Sequence, residues 1–423
     1  MSGLNHILIL TSSTPDFLHS RAARMVCALL AEEFGRQIPK VTVGLCCAEG
    51  PVSEAAAERL ANAGVDVANL PGNRLVAPAA TSPLATATGL INSLALNSTL
   101  YDFPRPSDPR ALAAAIDALG ADAVLLFWDT LGEFALPYMK TPSFGYLARP
   151  PYESGVARAK LLPVGARRTL TLAQFRAQER RHLARFRLLR SASNICALDT
   201  AYYAGHGVPC SYISNTWDDP LGLDWLARRT SLEAGVGGIQ ILGNIGAVGA
   251  TGNTFGMRYF TREVLPILSQ TAGDLDWAVA ICGGGKLAPD VEQALDHPRV
   301  RVKGFVEDID AEMLASGIFL LLNNAGPYTG GYTRVVYTFA TGACLIAHAN
   351  LKKSMPELAS GTNCLLGETP MEIAGLIKEA MTDEKLRRRL GAAARRTFET
   401  EYAPKAVSTK LITMLQQKLH QDG

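Results

Sequence analysis

The sequence predicts an α/β protein built from two doubly wound, parallel-sheet domains. Three observations carry that expectation. Short apolar runs alternate with amphipathic segments through the first half of the chain. The same alternation restarts near Ile239, after a polar, glycine-bearing stretch. The chain's 423 residues exceed what one ordinary core organises, so two domains are expected.

Composition sets the outer limits. An apolar fraction of 48% with 19% charged and 7% aromatic residues describes a globular chain and excludes disordered and collagen-like classes. A formal net charge of +2 gives no general attraction for nucleic acid, and no nucleic-acid partner is expected. The eight cysteines lie mostly inside apolar runs with no C-x-x-C spacing. They read as reduced core thiols of a cytoplasmic protein. The opening MSGLNHILILTSS reads as a first strand, since it lacks a basic leader and a small-residue cleavage site. No apolar run approaches the roughly 18 to 20 residues of a membrane span, so membrane contact is expected to be peripheral.

In order, His6 to Leu10 reads as a strand, Ser20 to Phe34 as a helix, Val41 to Cys46 as a strand and Val52 to Ala63 as a helix. Pro71 to Pro109 is a long excursion rich in Pro, Thr, Asn and Ser, which pattern alone leaves unassigned. Asp108 to Leu119 reads as an Ala-rich helix and Ala123 to Phe127 as a buried strand ending in Trp128, Asp129 and Thr130. Leu170 to Ser191 follows as a basic helix, with Ile195 to Leu198 and Ser211 to Ile213 as strands. The polar cluster Ser214 to Pro220, with Gly222 and Gly235 to Gly238, reads as the connection between domains. The expected limits are 1–220 and 221–402, followed by a C-terminal segment 403–423.

The second series begins with a strand at Ile239 to Leu242 and a helix from Thr254 to Ser269, interrupted near Pro266. Strands are expected at Trp277 to Cys282, Val300 to Lys303, Ile318 to Leu322 and Ala343 to Ala347. Helices are expected at Arg334 to Thr341 and Met371 to Met381, and then mostly helix from Glu384 to Gln417, broken at Tyr402-Ala403-Pro404. No solenoid repeat is present.

One ordered set of motifs carries functional information. Val300 to Val306, Ile318 to Leu322, Gly330-Gly331-Tyr332-Thr333-Arg334, Ala340-Thr341-Gly342 and Asn363 to Leu366 follow one another. Gly243-Asn244-Ile245-Gly246, Asn253, Phe260 and Glu263 to Pro266 precede them. This order resembles the donor-binding domain of the group-one, family-four-like retaining glycosyltransferases over roughly Ile239 to Tyr402. The resemblance implies a GT-B fold of two Rossmann-like domains facing across a cleft, with the last helix crossing back to the first domain. It also implies retaining transfer from a nucleoside-diphosphate sugar to a hydroxyl of a saccharide, lipid-linked saccharide or protein, in bacterial-type surface glycan biosynthesis. No permanently bound cofactor is implied.

The residues support an anion site on their own terms. Gly330 and Gly331 would let backbone N–H groups approach a phosphate, and the helix starting near Tyr332 would point its positive end there. Thr333 belongs to the same turn, and Arg334 adds a planar cationic fork suited to a diphosphate, stabilising the departing charge. The alternative is an ordinary loop with Arg334 in a surface ion pair. By the resemblance, Gly243, Asn244, Gly246, Gly283 and Gly284 line the donor, and Gly304, Phe305 and Val306 place backbone groups beside its base. Lys286 reaches phosphate or is simply solvated. The two glutamates that many relatives carry fall at Thr329 and Tyr337; the first would touch the transferred sugar and the second the ribose. Arg258 stands in for a missing donor-side cation or is a solvated helix residue.

Asp129 is the candidate for the acceptor hydroxyl proton, or else caps the next helix. Asn215 and Asp218 close the cleft or simply form turns. Arg149, Arg158, Lys160, Arg167, Arg168, Arg176, Arg180, Arg181, Arg185, Arg187 and Arg190 are offset only by Glu153 and Glu179 within region 149–190. This region is a docking face for an anionic membrane surface on the inner side of the membrane, a binding face for an acidic glycan, or a solvated basic helix. The seven histidines show no ligand spacing, so no metal site is expected. A catalytically weak or non-catalytic protein that binds sugar nucleotide or a partner is the alternative function; another doubly wound enzyme, such as a nucleotide-sugar epimerase or a dinucleotide oxidoreductase, is the second, and the absence of G-x-G-x-x-G after the first strand counts against NAD there.

Overall fold

The computed structural model describes residues 4–18, 22–46, 50–70, 106–128, 131–160, 162–220, 222–234, 238–325 and 332–421. The chain divides into one compact unit of Met1–Ile213 with Val407–Gly423 and a second of Ser214–Ala406.

The first unit holds a seven-stranded parallel sheet. Its strands are β1 (His6–Thr11), β2 (Lys40–Leu45), β3 (Val65–Asn69), β4 (Ala123–Phe127), β5 (Ser143–Leu147), β6 (Ser191–Asn194) and β7 (Cys210–Tyr212), in the order β3-β2-β1-β4-β5-β6-β7. The helices between them are α1 (Ala22–Gly35), α2 (Glu54–Asn62), α3 (Pro109–Ala118), α4 (Pro151–Lys160), α5 (Ala166–Phe186) and α6 (Ala197–Gly205). Central strands β1 and β4 are buried along their whole length, as expected where both faces of a parallel sheet are covered. Local chemistry marks the helix starts: Ser53 caps α2 through the Ala56 N–H, and Asp108 caps α3 with Pro109 as its first residue.

The second unit repeats the plan with six strands. They are β8 (Ile239–Asn244), β9 (Trp277–Cys282), β10 (Val300–Gly304), β11 (Ile318–Leu321), β12 (Cys344–His348) and β13 (Leu365–Gly367), in the order β10-β9-β8-β11-β12-β13. Helices α7 (Trp225–Ala234), α8 (Thr251–Tyr259), α9 (Leu265–Thr271), α10 (Pro289–Ala294), α11 (Ile309–Ala315), α12 (Tyr332–Ala340), α13 (Pro370–Thr382), α14 (Glu384–Thr397) and α15 (Pro404–His420) complete the chain. A reciprocal Thr369–Glu372 capping box opens α13.

Several expectations shift. The interruption near Pro266 is a wide turn over Phe260–Val264, where the Leu265 N–H reaches back to the Phe260 carbonyl. Proline supplies no N–H of its own, so the helix re-forms around it. Ile195 to Leu198 is not a strand. The strand is Ser191–Asn194, and α6 begins at Ala197, capped by Cys196. The edge strand Val65–Asn69 and the strand Ser143–Leu147 were not anticipated. The excursion 71–105 lies outside the described residues.

Candidate functional site

In an open doubly wound sheet, ligands bind beyond the carboxyl ends of the strands where the strand order reverses. In the second unit that point lies between β8 and β11. The residues there are organised around Asn244, the last residue of β8 and only 2% exposed. Its Nδ2 donates to the carbonyls of Gly246 and Cys282 at 3.1 and 3.0 Å. Its Oδ1 accepts from Nη1 of Arg334 at 3.4 Å. One carboxamide thus ties the ends of β8 and β9 to the first turn of α12.

The turns after β8, β9 and β10 are locked to one another. The Gly283 N–H donates to the Gly304 carbonyl at 2.7 Å, and the Val248 N–H to the Gly284 carbonyl at 3.1 Å. Gly283 has φ +143°, and a Cβ there would lie 1.8 Å from the Gly246 oxygen. Only glycine fits so close a backbone approach. Asn253 holds the following helix in place, donating to the Ala247 carbonyl at 2.8 Å and accepting from Asn323 Nδ2 at 3.0 Å. Gly243 has a packing reason of its own, since a Cβ would meet the Val279 and Ile281 side chains at 2.8 and 2.9 Å.

Arg334 is half-buried. Among the described residues no carboxylate pairs with it, and burial pulls its guanidinium down to about 10. Arg395 in the same unit shows the ordinary arrangement. At 3% exposure it is clamped by both oxygens of Asp219 at 2.7 and 2.5 Å and by Glu399 at 2.8 Å. A partly desolvated cation without a counter-charge, near a helix start, is an arrangement that an anion stabilises. One residue earlier, Thr333 Oγ1 accepts from Asn215 Nδ2 at 3.0 Å. Asn215 is therefore a fixed part of this turn, while Asp218 accepts from the Asp219 N–H at 3.0 Å as a turn former.

One turn further along α12, Tyr337 is 3% exposed and packs at 5.9 Å from the Trp217 ring. Its hydroxyl donates to Oδ1 of Asp310. Burial, and next the Asp310 charge, hold it well above the usual phenol range, so it stays a donor. At the end of β10, Phe305 exposes 78% of its surface beside Gly284, whereas Val306 is half-buried. Lys286 is exposed with no carboxylate partner among the described residues. Asn324, at the end of β11, is 1% exposed, and its Oδ1 is buried without a hydrogen-bond partner.

Other expectations are corrected or fall elsewhere. Arg258 makes no part of this site. It forms two bonds to Asp290 at 2.6 and 2.7 Å, and Arg262 joins them at 2.9 Å. Gly330, Gly331, Thr329 and Asp129 lie outside the described residues, as does the side chain of Tyr332. The basic region also changes. Arg185 is 8% exposed and bonded at 2.8 Å to Glu133, a fully buried carboxylate that also meets His182. It is a structural ion pair and not a surface charge. Arg176, Arg180, Arg187 and Arg190 are exposed, while Arg149, Arg168 and Arg181 are half-buried. The side chains of Arg158 and Arg167 lie outside the described set.

In the first unit the corresponding reversal lies between β1 and β4. Trp128, just past β4, has φ +45°, and no other described non-glycine residue has a positive φ. That is a costly conformation for a bulky side chain. Its Nε1 is buried without a partner. Sequence reasoning missed Glu133, His182 and Asp310 as members of polar networks. Each partner is distant in the chain, and no local spacing connects them.

No helix among the described residues is long and apolar enough to cross a membrane. Residues 240–383 match the family described as glycosyl transferases group 1. A search of curated proteins finds no match. Among solved structures, the chain is similar to HepE of Anabaena in complex with UDP and glucose, at 13% identity and TM-score 0.61, covering 97% of this chain and 98% of that one. It is also similar to sucrose-phosphate synthase of Thermosynechococcus elongatus, at 13% identity and TM-score 0.62, covering 99% and 100%. A glycosyltransferase of Rickettsia africae aligns at 11% identity and TM-score 0.59 over 99% of both chains. The chain thus has the GT-B type of α/β fold, two Rossmann-like parallel-sheet domains, and its second domain carries the group-one glycosyltransferase signature.

Proposed function

We propose that this protein is a glycosyltransferase that moves a sugar from a nucleoside-diphosphate donor to a hydroxyl of a saccharide, lipid-linked saccharide or protein. The observation that carries the proposal is Arg334, half-buried at the strand-order reversal, bonded to Asn244 and without a carboxylate partner among the described residues. A donor diphosphate supplies the missing charge. As the sugar departs, the arginine fork and the start of α12 stabilise the growing negative charge on the leaving phosphate, with no metal required for that step. Gly246, Gly283, Gly284 and Gly304 give the donor access to backbone groups, and Phe305 and Val306 flank its base. The complexes of HepE with UDP and with UDP-glucose support a nucleotide-sugar donor by fold likeness.

The proposal extends to retention at the anomeric carbon, to Asp129 as the group that takes the acceptor proton, and to surface glycan assembly. It also places the protein in the cytoplasm, with the exposed arginines of α5 resting on an anionic membrane. A non-catalytic, nucleotide-sugar-binding protein is the second reading, favoured by Tyr337 standing bonded to Asp310 where many relatives carry a glutamate.

Calorimetric titration of UDP, GDP and ADP into the wild type and Arg334→Ala tests the site. The variant is expected to lose about 10- to 100-fold in affinity, as for a charge-assisted contact, and unchanged affinity would refute the assignment. Turnover of the corresponding sugar nucleotides with a saccharide acceptor separates the two readings.

A further inference from the structure

A helix that meets a ligand with its first turn must hold that turn still, and the N–H groups of a first turn have no partners within the helix. Further along α12 the threonines brace themselves locally. Thr338 Oγ1 donates to the Arg334 carbonyl at 2.7 Å, and Thr341 Oγ1, just past the helix, to the Thr338 carbonyl at 2.9 Å. Thr333 stands in the first turn, with no helical turn behind it to take such a bond. Its Oγ1 instead accepts from Asn215 Nδ2 at 3.0 Å, across 118 positions of chain.

The Asn215 carboxamide has one orientation open to it. Its Oδ1 accepts the Thr216 N–H at 2.8 Å, so Nδ2 is the end that faces Thr333. The backbone that carries it is fastened on both sides. Ser214 Oγ donates to the Glu401 carbonyl and Thr216 Oγ1 to the Tyr402 carbonyl, each at 2.7 Å, and Asp219 is clamped by Arg395 at 2.7 and 2.5 Å. Ser214, Asn215 and Thr216 are all buried, so water competes little with these bonds. With these residues the chain enters the second unit, and they are pinned to residues that shortly precede its exit at Ala406. The start of α12 is thus tied to a fixed segment outside the helix. Arg334 follows Thr333 directly, and its own bond to Asn244, at 3.4 Å, is long for an N–H donor. Its aim therefore depends on the backbone that carries it.

We propose that Asn215 is a positioning residue for the anion site: through Thr333 it holds the first turn of α12 so that Arg334 is aimed at the donor diphosphate. The proposal rests on the nucleotide-sugar reading above, in which Arg334 is the phosphate contact. Asn215 itself touches no part of the donor. Without it the turn must be ordered again each time a ligand arrives, which costs affinity.

The experiment is a double-mutant cycle on the full chain, titrated with UDP, GDP and ADP. Asn215→Ala is expected to weaken the nucleoside diphosphate that the wild type binds best by about three- to ten-fold, the range of a neutral hydrogen bond. Combined with Arg334→Ala it is expected to add almost nothing, because it acts through the aim of that arginine. Thr333→Val is expected to match Asn215→Ala, and Thr333→Ser, which keeps the hydroxyl, to bind more tightly than Thr333→Val. Should Asn215→Ala fold poorly, Thr333→Val takes its place in the cycle. A bond that only stabilises the fold would lower the melting temperature and leave the cycle additive. Additive losses therefore overturn the inference, as does full affinity in Asn215→Ala or, where that variant does not fold, in Thr333→Val. In those cases a loss in Arg334→Ala alone leaves the donor reading standing. A wild type that binds none of the three nucleotides, or an Arg334→Ala variant that binds as well as the wild type, overturns both.

Discussion

The two sheets share a strand order up to the seventh strand of the first, yet the buried or half-buried charges beyond their switch-point strands are treated in opposite ways. In the first unit the segment after β4 carries Glu133, which is fully buried and bonded to both His182 and Arg185. In the second unit the segments after β8, β9 and β11 leave Arg334 without a counter-charge and Asn324 Oδ1 without a partner among the described residues. Buried polar groups are normally satisfied within the protein, and exceptions call for an explanation. One set of charges serves the fold, and the other, on the proposed reading, meets the donor.

The contrast can be broken most forcefully at Glu133. Glu133→Ala leaves Arg185 buried without its carboxylate and is expected to cost about 3–5 kcal/mol of stability. Donor affinity of the protein that remains folded should be unchanged; denaturant unfolding and nucleotide titration check the two halves. Arg334→Ala should do the reverse, weakening nucleoside-diphosphate binding by about 2 kcal/mol with little change in melting temperature. A large melting shift would place Arg334 with the structural charges. Gly283→Ala combines both effects, because its Cβ collides with the Gly246 oxygen at 1.8 Å. It is expected to cost about 1–3 kcal/mol, the scale of a strained backbone, and to weaken the donor as well, read by the same pair of measurements. At the small end, Thr369→Ala removes the cap of α13 and should cost about 1 kcal/mol without altering nucleotide affinity.

The sequence made the second unit legible because its strands are apolar and its turns glycine-marked. Ile318 to Leu322 and Gly283 to Gly285 could be placed from pattern alone. The first unit resisted for a physical reason visible at β6. Its four residues, Ser191 to Asn194, are all buried although three are polar, because Ser193 donates to the Gly145 carbonyl at 3.4 Å and Asn194 to the Ala148 carbonyl at 2.8 Å. Hydropathy therefore pointed past the strand to Ile195 to Leu198, which spans the turn into α6. In the site, Asn244 and Arg334 stood out through motif order. The bond between Tyr337 and Asp310 did not, since the two residues lie 27 positions apart. Arg185 was misjudged for the same reason, its partner lying 52 positions back.

The contact between Gly246 and Gly283 bears on kinetics. Two turns touch backbone to backbone and are further held by Asn244 and the Gly283–Gly304 bond, so each braces the other. On the proposed reading this part of the surface is formed before the nucleotide arrives, so little conformational entropy is lost there on association. Capture through these turns should then proceed at a rate set by encounter and charge steering, falling as salt is raised, with no slow rearrangement of the turns interposed.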